Sequence, residues 1–281
     1  MFFDGFTLEE RNGSRLRAGG AGSPLLLLHG QRQTHAMWHA VAPRLADRFS
    51  LICPDLPAGM GEAASARWLL DLMRERGHER FAVAGHDRGG HVACRLALEA
   101  AERVERLAVL EIVPVPEHMN REDMSFALAG YPVCWFAQLH PKPEALITHA
   151  PAEWFQTSDA ADSAGMFHPE AVADYLRAAQ RQAEPVEVST DRRALGAADE
   201  DGRERRRITC PLLVLWGSKG RIGGWYDPVQ LWRDCADAGV SGAMIPGGHF
   251  LAEEAPEAVA EQLGLFFAAG GGMQAARAAG G

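Results

Sequence analysis

Phe81-Ala82-Val83-Ala84-Gly85-His86-Asp87-Arg88-Gly89-Gly90 is an apolar run that closes on a glycine, crosses a polar triplet and enters a helix-period segment through two more glycines. It reads as strand, G-x-Asp-x-G, helix. Such a turn packs strand against helix so closely that side chains flanking the apex do not fit, and glycine solves this. The apex residue, Asp87, is then held out as a candidate nucleophile, where many chains of this pattern carry serine. A G-x-D-x-G fragment can also be an ordinary turn, so the rest of the chain must decide.

Outward from this stretch, short apolar runs alternate with helix-period segments. The expected strands are Leu25–Leu28, Leu51–Cys53, Phe81–Ala84, Leu107–Val113, Leu212–Trp216 and Ala243–Ile245. Their apolarity is continuous rather than alternating, as strands covered on both faces require. Helices are expected at Trp38–Ala46, Ala66–Arg76, Gly90–Ala100, Pro228–Ala238 and Pro256–Phe267. The pattern defines an α/β class with a mostly parallel, doubly wound sheet. It breaks after Val113, where proline-separated helical pieces run to about Arg207, and resumes at Ile208. The expected organisation is a core of residues 1–113 and 208–269, a helical cap of 114–207, and a glycine-rich flexible tail of 270–281. An insertion at a strand's carboxyl end stands over the ligand-binding edge of an open sheet.

Composition narrows the partners. A formal charge of −9 disfavours nucleic-acid phosphates, and the basic run Arg203–Arg207 reads as a solvated linker face. The five cysteines, Cys53, Cys94, Cys134, Cys210 and Cys235, form no CxxC pair and suggest free thiols in a reducing compartment. Neither a signal-peptide pattern nor a membrane-length apolar run is visible, so a cytoplasmic protein with a small-molecule substrate is expected. No metal-ligand spacing, phosphate loop or dinucleotide fingerprint is present, and no cofactor is expected.

Three further positions complete a site around Asp87. His29-Gly30 follows the Leu25–Leu28 run, where backbone N–H groups of Gln31 and Arg88 can share one oxygen as an oxyanion hole. Pro246-Gly247-Gly248-His249-Phe250 puts a histidine in a tight turn after the last strand, as a general base requires. After Leu212–Trp216 no carboxylate stands ready to orient that base. Glu111, at the end of Leu107–Val113, is instead the candidate acid, with an arginine ion pair as the alternative and Asp227 as the next place to look. An aspartate nucleophile restricts the chemistry. Attack on saturated carbon, displacing halide or opening an epoxide, leaves an alkyl ester that water can hydrolyse, whereas attack on an acyl carbon leaves a mixed anhydride.

Leu25-Leu26-Leu27-Leu28-His29-Gly30, Gln33-Thr34-His35-Ala36-Met37-Trp38, Gly85-His86-Asp87-Arg88-Gly89, Leu110-Glu111-Ile112-Val113-Pro114, Cys210-Pro211-Leu212-Leu213-Val214-Leu215-Trp216-Gly217 and Gly248-His249-Phe250-Leu251-Ala252-Glu253-Glu254-Ala255-Pro256 together resemble the haloacetate (fluoroacetate) dehalogenase branch of the α/β-hydrolases. The resemblance implies the α/β-hydrolase fold with a cap, an Asp-His pair at Asp87 and His249, and an acid at Glu111. Dimers would fit it. It also locates departures. The family's D-R-G-x-R uses two arginines for the haloacid carboxylate; here Arg88 remains and His91 takes the second position. The family's lid His-Trp pair is reduced to Trp135, and the tyrosine of its D-Y-R-A is replaced by Arg192. Arg88, His91, Trp135 and Arg192 are therefore the expected substrate contacts. An epoxide hydrolase, which needs lid phenols (Tyr131 and Tyr175 are available), and a non-hydrolytic descendant are the competing readings.

Overall fold

The computed structural model describes residues 2–11, 13–57, 60–114, 166–181 and 207–269. Eight strands form one sheet in the order β1-β2-β4-β3-β5-β6-β7-β8. They are β1 Thr7–Arg11, β2 Ser14–Gly19, β3 Ser23–Leu28, β4 Phe49–Pro54, β5 Phe81–His86, β6 Val104–Leu110, β7 Leu212–Gly217 and β8 Val240–Ile245. β1 and β2 pair antiparallel, as do β2 and β4, and every other neighbouring pair is parallel.

The apolar runs become central strands because both of their faces are covered. In β3, Leu25 and Leu27 enter one core layer with Trp38, Leu45 and Phe267. Leu26 and Leu28 enter the opposite layer with Leu69, Val92 and Leu96. Each of these leucines is fully buried, a gain on the order of 1.5–3 kcal/mol per side chain. The layers are supplied by α1 (Ala42–Leu45) and α8 (Pro256–Ala268) on one side and by α2 (Glu62–Glu75) and α3 (Arg88–Glu99) on the other.

Several elements differ from the sequence reading. The hairpin β1–β2 was not expected, because its burial is mostly exposed or intermediate and leaves no apolar period to read. The expected helix Trp38–Ala46 is instead a 3-10 turn, His35–Trp38, followed by the short α1. Pro43 lacks the N–H that a continuous helix would need there. The strand expected through Val113 ends at Leu110, since Glu111 takes φ +56° and leaves the ladder. Helix α6 (Pro228–Arg233) stops short of Ala238. The guanidinium of Arg207 meets its end, donating to the carbonyls of Asp234 (2.6 Å) and Ala236 (2.7 Å). This arginine is exposed, as a solvated face requires, and it also closes the end of α6, while Arg203–Arg206 lie outside the described residues.

Of the expected cap, 114–207, the described part is chiefly helix α4, Pro169–Arg181. It docks on the core through Asp174, whose carboxylate accepts from Thr34 Oγ1 (2.8 Å) and pairs with Arg15 and with Arg177 of the same helix. Burial pushes Asp174 upward, but the hydrogen bonds from Arg15 and Thr34 outweigh it and hold the carboxyl below its ordinary range. No helix among the described residues is long and apolar enough to cross a membrane.

The turn that presents Asp87 tolerates no added bulk. A Cβ on Gly89 would stand 2.5 Å from the carbonyl oxygen of His29 and 2.6 Å from that of Leu28, both backbone atoms with nowhere to move. Gly89→Ala is accordingly expected to destabilise the fold by about 2–3 kcal/mol, read as a lower midpoint in urea unfolding.

Candidate active site

The site lies along the carboxyl edge of the sheet, and each contributing residue follows a different strand. Asp87 follows β5 and has φ +47° and ψ −122°. For a residue with a side chain this conformation costs on the order of 1–3 kcal/mol and persists only where the surroundings enforce it. They do so here: Asp87 N donates to Leu110 O (3.1 Å), while Gly90 N (2.9 Å) and His91 N (3.2 Å) donate to Asp87 O, locking the turn to β6 and to α3.

Asp87 Oδ1 accepts a hydrogen bond from Gln31 N at 2.9 Å. Gln31 belongs to the loop after β3, whose shape is set from beneath by His29. That imidazole is fully buried, and burial lowers its pKa to about 4. It is therefore neutral, with Nδ1–H donating to Gly30 O and Nε2 accepting from Leu56 N, both at 2.8 Å. Arg88 begins α3 directly after Asp87, and its guanidinium donates to Met60 O at 2.6 Å.

His249 follows β8 and stands with Nε2 3.8 Å from Asp87 Oδ2 and Nδ1 3.4 Å from Glu111 Oε2. Its turn is tied from both sides. Glu254 accepts from Gly248 N (2.5 Å) and Phe250 N (2.9 Å), and Lys219 N donates to Gly247 O at 2.8 Å. Glu111 is buried, with its other oxygen accepting from Gly217 N at 2.6 Å. Its described partners are this backbone amide and His249 rather than an arginine. Asp227, the other candidate acid, is the N-cap of α6, accepting from Gln230 N at 3.0 Å.

One residue that sequence reasoning passed over belongs here. His86, the unspecified position in G-x-Asp-x-G, is fully buried, and its Nε2 donates to the carbonyl of His249 at 2.7 Å. Burial, reinforced by the neighbouring imidazole of His249, lowers its pKa to about 3. Its partner His249 is 163 residues distant, and no local pattern announces the contact. Of the expected substrate contacts, Arg88 and His91 sit on the first turn of α3 beside Asp87, while Trp135 and Arg192, like Tyr131, lie outside the described residues. His35, Asp55 and Asp174 gather within 4.8 Å. A cation there would have to displace Arg15 and Arg177 from Asp174, and the group acts as an ion-pair cluster that ties α4 to the core.

A carboxylate on a strained strand-to-helix apex, a backbone donor on one of its oxygens, and a histidine after the last strand facing the other define a class: hydrolases built on a mostly parallel sheet with a nucleophile elbow. The comparisons agree. Residues 25–262 match the model of the alpha/beta hydrolase family, and the chain belongs to that family. It is 33% identical over 268 residues to a fluoroacetate dehalogenase of a Burkholderia species, covering 88% of each chain. It is 28% identical to a soluble epoxide hydrolase of a Corynebacterium species, covering 92% of this chain and 95% of the relative. A solved Pseudomonas aeruginosa structure bearing a provisional epoxide hydrolase name matches with TM-score 0.84 at 35% identity, covering 96% and 97% of the two chains. The chain is thus similar to enzymes with both of the activities that an aspartate nucleophile suits.

Proposed function

We propose that this chain is a hydrolase acting at saturated carbon through a covalent alkyl ester on Asp87, of the haloacid dehalogenase type. The observation that carries the reading is the division of labour between the two oxygens of Asp87. Oδ1 is held by the Gln31 amide, while Oδ2 faces His249. In the first step Oδ2 attacks the substrate carbon, forming a C–O bond as the carbon–halogen bond breaks and halide leaves. In the second, His249 Nε2 takes a proton from water, and the resulting hydroxide adds to the Asp87 carboxyl carbon. Negative charge then develops on Oδ1, where the amide already points. Collapse expels the alkoxide, which takes the proton held by His249 and leaves as the alcohol. Asp87, left as a carboxylic acid, then loses its proton to solvent by way of His249, and the carboxylate is restored. Glu111 stabilises the transient imidazolium.

Two observations favour halide over epoxide. Ring opening needs an acidic phenol over the leaving oxygen, and the described cap phenol, Tyr175, donates instead to Glu253 at 2.8 Å. The dehalogenase relative is also the more similar of the two curated relatives above. The altered lid positions, with no lid histidine near Cys134 and arginine at 192, leave fewer of the expected donors for a departing fluoride. Chloride release from chloroacetate is therefore expected to exceed fluoride release from fluoroacetate by ~10-fold or more, the effect of one missing hydrogen bond to a leaving anion. Ion-selective electrode assays decide this. Efficient defluorination would mean that Arg192 supplies the missing donors. Turnover of epoxides with no haloacid activity would overturn the dehalogenase reading and leave the aspartyl ester standing. Inertness toward both, with no ester formed, would favour a non-hydrolytic descendant.

A further inference from the structure

Behind the nucleophile the structure holds two buried acceptors that share a problem. Gln33 Oε1 and His86 Nδ1 have no hydrogen-bond partner among the described residues. Both converge on the spot above Gly30 where a Cβ would stand, at 2.8 Å and 2.6 Å respectively, with the Asp87 Cβ 3.1 Å away. Both are acceptors as placed. The His249 carbonyl can only accept, so His86 must carry its proton on Nε2, which leaves Nδ1 as a lone pair. Leaving two buried acceptors unserved costs on the order of 1–3 kcal/mol each.

The other end of Gln33 supplies the way out. Its Nε2 is 2.8 Å from Glu253 Oε2, and Tyr175 of the cap helix donates to Glu253 Oε1 at 2.8 Å. Glu253 is 9% exposed, and no cation pairs with it among the described residues. An amide's nitrogen and oxygen occupy interchangeable positions, and the partners decide which points where. If Glu253 carries a proton, its O–H can donate to the Gln33 carbonyl oxygen. The Gln33 NH2 group then turns toward the vacant lone pair of His86. One rotation thus serves both acceptors.

We propose that Tyr175, Glu253, Gln33 and His86 form one hydrogen-bonded chain from the cap helix to the backbone carbonyl of His249, with Gln33 as its switching link. Gln33 and Glu253 are positioning residues. They touch no reacting atom, but through His86 they fix the turn that holds His249 against Asp87. The described orientation of Gln33, with Nε2 toward Glu253, is the arrangement of the ionised acid. The arrangement of the neutral acid completes the chain.

Burial and Glu254 favour the neutral acid, and the hydrogen bonds from Tyr175 and Gln33, which favour the carboxylate, do not outweigh them. Burial comes first, pushing its pKa up to about 8, and Glu254 on its own helix adds to this. Tyr175, with Asp174 behind it on the cap helix, and Gln33 from the loop after β3 complete the surroundings. A carboxyl raised in the folded protein is neutral below its folded pKa, so the chain is complete at neutral pH and breaks as pH rises through about 8.

The positioning role rests on the Asp87–His249 chemistry proposed above, whereas the chain itself can be read without any substrate. The full-length protein with 15N-labelled histidine, its Glu253→Gln variant and its Gln33→Met variant would be compared from pH 6 to 10. In the wild type the His86 Nδ1 resonance should shift with a midpoint near pH 8. The shift should vanish in Glu253→Gln, whose amide is permanently neutral and can still accept from Tyr175 and donate to Gln33. A wild-type His86 resonance that stays still, or the same shift in Glu253→Gln, would overturn the chain. With a turned-over haloacid, kcat should fall over the same interval in the wild type. Glu253→Gln should retain most of the neutral-pH rate without the alkaline loss, and Gln33→Met should lose about fivefold in kcat with KM little changed. A titrating His86 signal with a flat kcat profile would keep the chain and overturn its positioning role.

Discussion

Asp87→Asn is expected to lose at least ~10⁴-fold in kcat, the scale on which removing a nucleophile acts, while the protein unfolds at nearly its original temperature. Asn keeps the size and polarity of the side chain, and like Asp it tolerates positive φ better than most residues. The strained turn with its hydrogen bonds to Leu110, Gly90 and His91 is therefore retained. What is lost is the anionic oxygen that attacks carbon. Asp87→Ser should be equally inactive. Serine at this apex suits acyl substrates, but displacing halide at saturated carbon would leave an ether that water activated by His249 cannot cleave. Steady-state turnover of a haloacid and a thermal melt check both variants. More than a few per cent of wild-type activity in Asp87→Ser would exclude the carboxylate nucleophile.

Glu111→Gln is expected to fall by ~10²–10⁴-fold in kcat, as when a triad histidine loses its carboxylate. Two effects act together. The negative charge 3.4 Å from His249 Nδ1 favours the imidazolium formed when water is deprotonated, and the amide cannot. A carboxylate also fixes the tautomer by accepting from Nδ1–H, whereas a glutamine can turn its NH2 toward the ring and hold the wrong one. Because the aspartyl ester forms before the base is needed, the variant should accumulate that ester, and a pre-steady-state burst of halide would reveal it. Full activity would place the orienting acid elsewhere. Asp227 is a poor substitute, since it is occupied in capping α6.

The central sheet was legible because its strands are apolar on both faces, and the elbow because glycine spacing encodes a backbone constraint. The hairpin β1–β2 was not, since its partly exposed residues carry no apolar period. Nor was the break between the 3-10 turn and α1, where the apolar spacing continues and the effect of Pro43 must be weighed against it. Within the site, Asp87, Glu111 and His249 could be singled out because each stands at a strand's carboxyl end where a charged or titratable residue is out of place. His86, Gln33 and Glu253 could not. Their interest lies in partners 163 and 220 residues distant, His249 for His86 and Glu253 for Gln33, and no local pattern announces such contacts. The expected pocket residues Trp135 and Arg192 lie outside the described residues.

Intact-mass analysis of His249→Ala tests the covalent ester on Asp87 most directly. Without its base the enzyme can be alkylated but cannot hydrolyse the product. Incubated with chloroacetate and with a panel of epoxides, His249→Ala should gain the mass of one transferred group. Peptide mapping should place that group on Asp87, and a His249→Ala/Asp87→Asn double variant should not acquire it. Stoichiometric modification at Asp87 is the predicted result. Release of halide or opening of an epoxide with no mass gained at Asp87, or an equal gain in the double variant, would contradict it.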